Sequence, residues 1–286
     1  MTVRTAIARL HDLEGFNFLV TNRVPRRALA RFARWFSRIE QPLVCRLSIA
    51  AWRLFCDVEL ADAKRHQFRS LHDCFIRELR AGARTVDGDP GVLVSPCDGI
   101  VGACGVAMGD TLLQVKGSPY TLADLLHDPR LVERYRDGCY ITLRLTAGMY
   151  HRFHAPYASR IVQVTHIAGD TFNVNPPTLK RIPRVFCRNE RAVLDLELAA
   201  AQSIALVAVA AILVAGIRLH CLEPAVDRPG DWTIRPPGAY LAKGEEIGWF
   251  EHGSTIIVLA PRGFEICTGV LPGRVLRMGE PLLRRP

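Results

Sequence analysis

The stretch "LAAAQSIALVAVAAILVAGI", residues 198–217, decides the fold, because its apolar character admits either a membrane-crossing helix or strand structure buried on both faces. Gln202 and Ser203 interrupt it and leave Ile204 to Ile217 as the continuous apolar run. A bilayer core requires about 20 apolar residues of helix, so this run is too short to cross. Val and Ile are stiff about χ1 and suit a pleated backbone, and a strand covered on both faces reads as an unbroken apolar run. "AVLDLEL", just before it, has the same texture. A core β-hairpin is the expected structure.

Outward from that hairpin, short β-type runs separated by Gly, Pro and Asp continue in both directions: "GVLVSP", "GIVGACGV", "TLLQVKG", "CYITLRL", "RIVQVTHI", "EIGWF" and "STIIVLAP". Their density predicts a β-rich domain over residues 86–286, with "TLADLLHDPRLVERYR" as the clear helical interruption. Residues 1–85 read differently. In "PRRALARFARWFSRIE", Leu29, Phe32, Phe36 and Ile39 share one helical face, while Arg27, Arg31, Arg34 and Arg38 follow the same rhythm on another. "LVCRLSIAAWRLFCDV" and "FRSLHDCFIREL" carry two further helical patterns. The expected class is α+β: an N-terminal amphipathic helical, membrane-associating segment followed by a β-rich, sandwich- or barrel-like domain.

Charge sharpens that division. The chain of 286 residues carries a formal +9, and residues 1–85 hold 16 Lys and Arg against 8 Asp and Glu, leaving only +1 for the remainder. A basic, amphipathic N-terminal third calls for an anionic partner, either nucleic acid or a phospholipid surface. The β-rich part shows no aromatic motif of an RNA-binding module, which turns the expectation away from nucleic acid. Nine widely spaced cysteines without a CxxC pair argue against a disulfide framework and fit a reducing compartment. The opening residues show no secretory signal pattern.

Three places in the β-rich region hold polar residues that a plain core does not need. In "SPCDGIV", Asp98 precedes Gly99, a common turn dipeptide that could equally present a carboxylate. In "GMYHRFHAP", His151 and His154 lie three apart. Zinc would need a third protein ligand at a familiar spacing, so no metal is expected and an acid/base pair is the better reading beside two structural histidines. In "WFEHGSTIIVLAP", Gly253 and Ser254 open an apolar run. The pair reads as a turn before a buried strand, or as a serine activated by a histidine and an aspartate.

Taken in order, "FRSLHDCFIRELRAGARTV", "SPCDGIV", "QVKGSPYTLADLL", "YHRFHAP", "FNVNP", "FCRNERAV" and "KGEEIGWFEHGSTIIVLAP" resemble the bacterial phosphatidylserine decarboxylases of the pyruvoyl type. The resemblance implies a proenzyme that cleaves itself between Gly253 and Ser254, giving a large chain 1–253 and a small chain 254–286. It implies that Ser254 becomes a covalent pyruvoyl group, so the cofactor is pyruvate made from the chain itself. It assigns Asp98 and His154 to self-cleavage and His151 to decarboxylation. The implied partners are phosphatidylserine, the anionic membrane surface and the two chains of one precursor, with a homodimer left open. The implied location is peripheral, on the cytoplasmic side of the cell membrane. The alternative is a Ser254–His154–Asp98 hydrolase that acts on lipids without cutting itself.

Overall fold

The computed structural model describes residues 26–113, 118–199, 202–211, 216–222, 229–251 and 254–286. Gly253, Gln114 to Gly117, part of the apolar run after Ala211 and the first 25 residues lie outside this set, so expectations placed on them are not described.

Helices open the chain: α1 (Arg26–Ser37), α2 (Pro42–Phe55) and the short α3 (Leu71–Phe75). The side chain of Gln41 accepts from the Val44 N–H and Pro42 occupies the first turn, so α2 starts where its free donors are capped. Strands follow: β1 (Val92–Val94), β2 (Gly99–Val106), β3 (Thr111–Leu113) and β4 (Pro119–Thr121). The single helix expected over 121–136 is two, α4 (Leu122–Leu126) and α5 (Pro129–Tyr135). His127 adopts a left-handed conformation at φ 53°, and Asp128 caps the second helix ahead of Pro129. A proline cannot continue the helix before it, which explains the break.

Next come β5 (Cys139–Leu145), β6 (Arg152–His154), β7 (Ser159–Ile167), α6 (Pro176–Arg181), α7 (Val185–Arg188), β8 (Arg191–Leu198), β9 (Ser203–Ala210) and β10 (Ile217–Leu219). The chain finishes with β11 (Trp232–Ile234), β12 (Tyr240–Leu241), β13 (Glu246–Phe250), β14 (Ser254–Ala260), β15 (Glu265–Ile266), β16 (Val275–Leu276) and β17 (Pro281–Arg284).

The opening stretch forms the expected hairpin: β8 and β9 pair antiparallel from Glu197↔Ser203 to Arg191↔Val209. It lies inside a nine-stranded antiparallel sheet of order β11-β7-β8-β9-β14-β5-β2-β16, with β12 alongside β7. Alternation makes this sheet the middle layer. Ile204, Leu206 and Ala208 of β9, with Ile256 and Val258 of β14, enter one core, whereas Ala205, Val207, Val209, Ile257 and Leu259 enter another. The first core is closed by Phe153, Ile247 and Phe250 from the three-stranded sheet β10-β13-β6, and by Leu93, Leu282 and Leu283 from the sheet β1-β17-β15. The second is closed by Leu122, Leu125 and Leu126 of α4, Leu131 and Tyr135 of α5, Leu179 of α6 and Phe186 of α7.

The architecture is therefore α+β with predominantly antiparallel strands, sheets on one face and short helices on the other. Sequence periodicity did not anticipate α6 and α7, whose six and four residues are too short to show it. Arg84 pairs with Asp98 and Arg38 with Glu251, so contacts cross between the helical segment and the β-rich part.

Candidate active site

Ser254 is the first residue of β14 and is fully buried. It pairs with Leu145 of β5 on one side and with Ala210 of β9 on the other, so two strands fix its backbone. Its Oγ has no hydrogen-bond partner among the described residues, and neither has the Oγ1 of Thr255. A buried hydroxyl without a partner costs about 1–3 kcal/mol and calls for an explanation. The end of β9 is itself pinned: Asn189 donates to the carbonyls of Ala210 and Phe172 and accepts from the Phe172 N–H. This gives "FNVNP" and "FCRNERAV" a structural task, fixing the strand end that lies opposite the serine.

Leu145, the other neighbour of Ser254, leads directly into the loop that carries Tyr150 and His151. Gly148 in this loop approaches the chain just after α2 so closely that a Cβ would stand 2.2 Å from the Asp57 carbonyl oxygen. Only glycine permits that approach. His151 is fully buried, with Nδ1 2.9 Å from the Met149 carbonyl oxygen and its ring 4.0 Å from that of Phe75 in α3. The Phe250 N–H donates to the His151 carbonyl at 3.0 Å, which seats His151 beside the end of β13, four residues before Ser254.

His154 lies farther along, opposite Glu246. At about 3.3 Å per strand residue, that is roughly 10 Å beyond His151. Its Nδ1 stands 3.0 Å from the Gly244 carbonyl and its Nε2 3.0 Å from the Tyr150 hydroxyl. A carbonyl can only accept, so the proton resides on Nδ1 and Tyr150 donates to Nε2. Burial, opposed by the Gly244 contact, Glu246 and Asp98, lowers the His154 pKa below its ordinary value. The ring is a neutral base at neutral pH.

Asp98 begins the turn into β2 and is 6% exposed. Its carboxylate accepts from Arg84 Nε at 2.9 Å, from Arg84 Nη2 at 2.5 Å and from the Met278 N–H at 2.9 Å. The neighbouring Pro96 carbonyl accepts from the His154 N–H at 2.7 Å. The Asp98 turn is thus fastened to the histidine strand through backbone, while the carboxylate itself faces an arginine and the imidazole is oriented by Gly244 and Tyr150. Burial works against the Arg84 charge, yet its bonds to Asp98 and Asp62 keep its pKa above the ordinary arginine value. Arg152 completes the frame, donating to the Ile76 carbonyl at 2.8 Å and to Glu246 at 2.7 Å.

The structure therefore brings the Asp98 turn and His154 together where β6 pairs with β13, and sets His151 beside Phe250, four residues before Ser254, with no hydrogen bond among the described residues between the serine oxygen and either ring. Sequence reasoning missed Arg84, Tyr150 and Gly244. Tyr150 and Gly244 lie within the quoted motifs "YHRFHAP" and "KGEEIGWFEHGSTIIVLAP", but spacing alone does not say that their polar atoms meet His154.

Comparison with known proteins identifies the group to which this architecture belongs. The family model described as "Phosphatidylserine decarboxylase" matches residues 71–284. A protein of Halorhodospira halophila named phosphatidylserine decarboxylase proenzyme is 37% identical over 270 residues, covering 91% of each chain. Namesakes from Xanthomonas axonopodis pv. citri and Methylococcus capsulatus are each 32% identical, over 92% and 91% of this chain and 96% and 93% of theirs. The chain belongs to the phosphatidylserine decarboxylase family.

Proposed function

We propose that this chain is a proenzyme that cuts itself between Gly253 and Ser254 and, as the resulting pair of chains, decarboxylates phosphatidylserine to phosphatidylethanolamine and CO2. The observation that carries the reading is the Ser254 hydroxyl, buried and without a hydrogen-bond partner among the described residues, at the head of a strand whose backbone is fixed on both sides. A structural serine would be satisfied or replaced by alanine; a serine that is to be consumed need not be.

In self-cleavage the Ser254 oxygen attacks the Gly253 carbonyl, and its proton passes to a neutral imidazole. The Gly253–Ser254 amide becomes an ester, with the freed nitrogen taking up the proton. Removal of the Ser254 α-proton then expels the Gly253 carboxylate. The dehydroalanine that remains tautomerises and hydrolyses, releasing ammonia and leaving a ketone at the new N-terminus. The Oγ suits this fate because its loss breaks no hydrogen bond among the described residues. Once formed, the pyruvoyl group supplies an electron sink for loss of the substrate carboxylate. The residue roles proposed are His154 and Asp98 in self-cleavage and His151 in protonating the substrate carbon. His154, held neutral, suits proton uptake, and His151 lies nearer the end of β13.

A lipid substrate is best met at the membrane surface, and the surface of the helical segment supports that placement. Phe32 and Trp35 of α1 are 56% and 64% exposed, and Leu43, Leu47, Leu54 and Phe55 of α2 are likewise exposed. Leu43, Leu47 and Leu54 follow helical spacing, so they form a stripe that water covers in the isolated molecule. Arg31 and Arg46 are exposed on the same segment, where phosphate can meet them. No helix of the described residues is long and apolar enough to cross a membrane. Peripheral attachment on the cytoplasmic side is the corresponding proposal, and the lipid hydrolase alternative draws no support from the family.

Intact-mass measurement of the purified protein, followed by headgroup analysis of phosphatidylserine vesicles incubated with it, tests the reading. Two chains divided after residue 253, a blocked N-terminus on the smaller and release of CO2 are expected. An uncut chain with full activity would overturn the self-cleavage reading, and a cleaved protein inactive on phosphatidylserine would overturn the substrate assignment.

A further inference from the structure

We infer that Glu251 is a positioning residue for self-cleavage: clamped by Arg38 and Arg218, its carboxylate fixes the corner that leads to the Gly253–Ser254 bond and ties that corner to α1. The inference rests on the self-cleavage reading above.

Glu251 is 5% exposed and stands three residues before Ser254. Its Oε1 accepts from Arg38 Nη2 at 2.9 Å and from Arg218 Nε at 3.4 Å. Arg38 closes the end of α1, so a residue whose periodicity suggested a phosphate-facing side instead reaches 213 positions along the chain to the cleavage corner. The backbone is held as well, with the Glu251 N–H donating to the Gly216 carbonyl at 3.0 Å. A Cβ on Gly216 would stand 2.6 Å from Glu251 Oε2, and the Gly216 φ of 152° disfavours any side chain. The carboxylate therefore sits in a slot that glycine leaves open.

On the near side, Phe250 is bonded to the His151 carbonyl and paired with Ile217; on the far side, Ser254 is paired with Leu145 and Ala210. Three residues separate these fixed ends, and Glu251 is the first of them. Glu251 stands two residues from Gly253 in the chain, and attack on a carbonyl tolerates displacements of well under 1 Å, so where Glu251 is held bears on the scissile bond. A buried carboxylate stays at a place only if its charge is matched, which Arg38 and Arg218 do. His72 of α3 lies in the same field: burial lowers its pKa while Glu251 opposes that shift.

The test follows self-cleavage of freshly synthesised full-length chain by gel time course for wild type, Glu251→Gln, Arg38→Gln and the double variant. Melting temperatures of the same set in a Ser254→Ala background report on folding. Glu251→Gln is expected to slow cleavage about ten- to a hundredfold, and Arg38→Gln to slow it less. The double variant should be no slower than Glu251→Gln alone, and Glu251→Asp should recover part of the rate. Hydroxylamine, which severs an ester, should release little small chain from Glu251→Gln, because the acyl shift itself is impeded. Wild-type cleavage by Glu251→Gln, fully multiplicative effects in the double variant, or rapid hydroxylamine release would each overturn the inference. If Glu251→Gln does not fold, Arg38→Gln carries the test, and an unchanged rate there overturns it. Failure of the wild-type chain to cleave at all would instead sink the self-cleavage reading.

Discussion

Removing the reactive hydroxyl should stabilise the precursor while abolishing its maturation. Ser254 Oγ is buried without a partner among the described residues, and such a group costs about 1–3 kcal/mol relative to one that is satisfied. Alanine deletes that cost and leaves a hole of about 10 Å3, worth roughly 0.2 kcal/mol at the usual cavity coefficient. The net gain is about 0.8–2.8 kcal/mol, and at about 2–4 °C per kcal/mol for a chain of this size the melting temperature should rise by about 2–11 °C. Wild type cannot serve as the reference, because it is expected to be cleaved. The comparison is therefore between two uncut precursors, Asp98→Asn and Asp98→Asn/Ser254→Ala, by differential scanning calorimetry with intact mass confirming that neither has been cut. A melting temperature that falls on removal of the hydroxyl would refute the argument, since it would mean that the oxygen is held by a stabilising bond.

Other expectations follow from the same geometry. Asp98→Asn and His154→Gln should leave mostly full-length chain, whereas His151→Gln should cleave and then decarboxylate at least tenfold more slowly; a His151→Gln protein that stays uncut would transfer the cleavage role to His151. The lowered His154 pKa keeps the ring neutral, so the self-cleavage rate, followed by gel, should stay level down to about pH 6.5 and fall only below it. The accompanying stability is present above that ordinary histidine value and is lost as pH falls through the lowered one; a rate already halved at pH 7 would contradict it. Replacing Leu43, Leu47 and Leu54 together by Gln should weaken sedimentation with anionic vesicles about a hundredfold, at about 1 kcal/mol per leucine, without changing self-cleavage. Unchanged vesicle binding would remove α2 from the membrane interface.

The elements most legible in the sequence are those whose information is local. Ser203 to Ala210 and Ser254 to Ala260 read as buried strands because an apolar run rich in Val and Ile has few other soluble solutions, and the structure gives both faces of each a core. "GIVGACGV", "CYITLRL" and "EIGWF" coincide with β2, β5 and β13 for the same reason. Family resemblance singled out Asp98, His151, His154 and Ser254 because their order and neighbours are distinctive.

What tertiary structure decided is which polar atoms meet. Arg84 faces Asp98 across 14 positions, Gly244 meets His154 across 90, and Arg38 reaches Glu251 across 213. Nothing in a local pattern encodes such pairs, because each depends on which strands become neighbours and in what register. By itself the sequence determined the strands, the amphipathic helices and the four residues carried by family motifs. Only the folded chain decided that Ser254 has no hydrogen-bond partner among the described residues, that a tyrosine and a carbonyl orient its proposed base, and that an arginine just after α1 closes on Glu251, three residues before that serine. The physical reason is that hydrophobic periodicity acts over one or two turns, whereas hydrogen bonds and ion pairs form between whatever groups the packed core brings within about 3 Å.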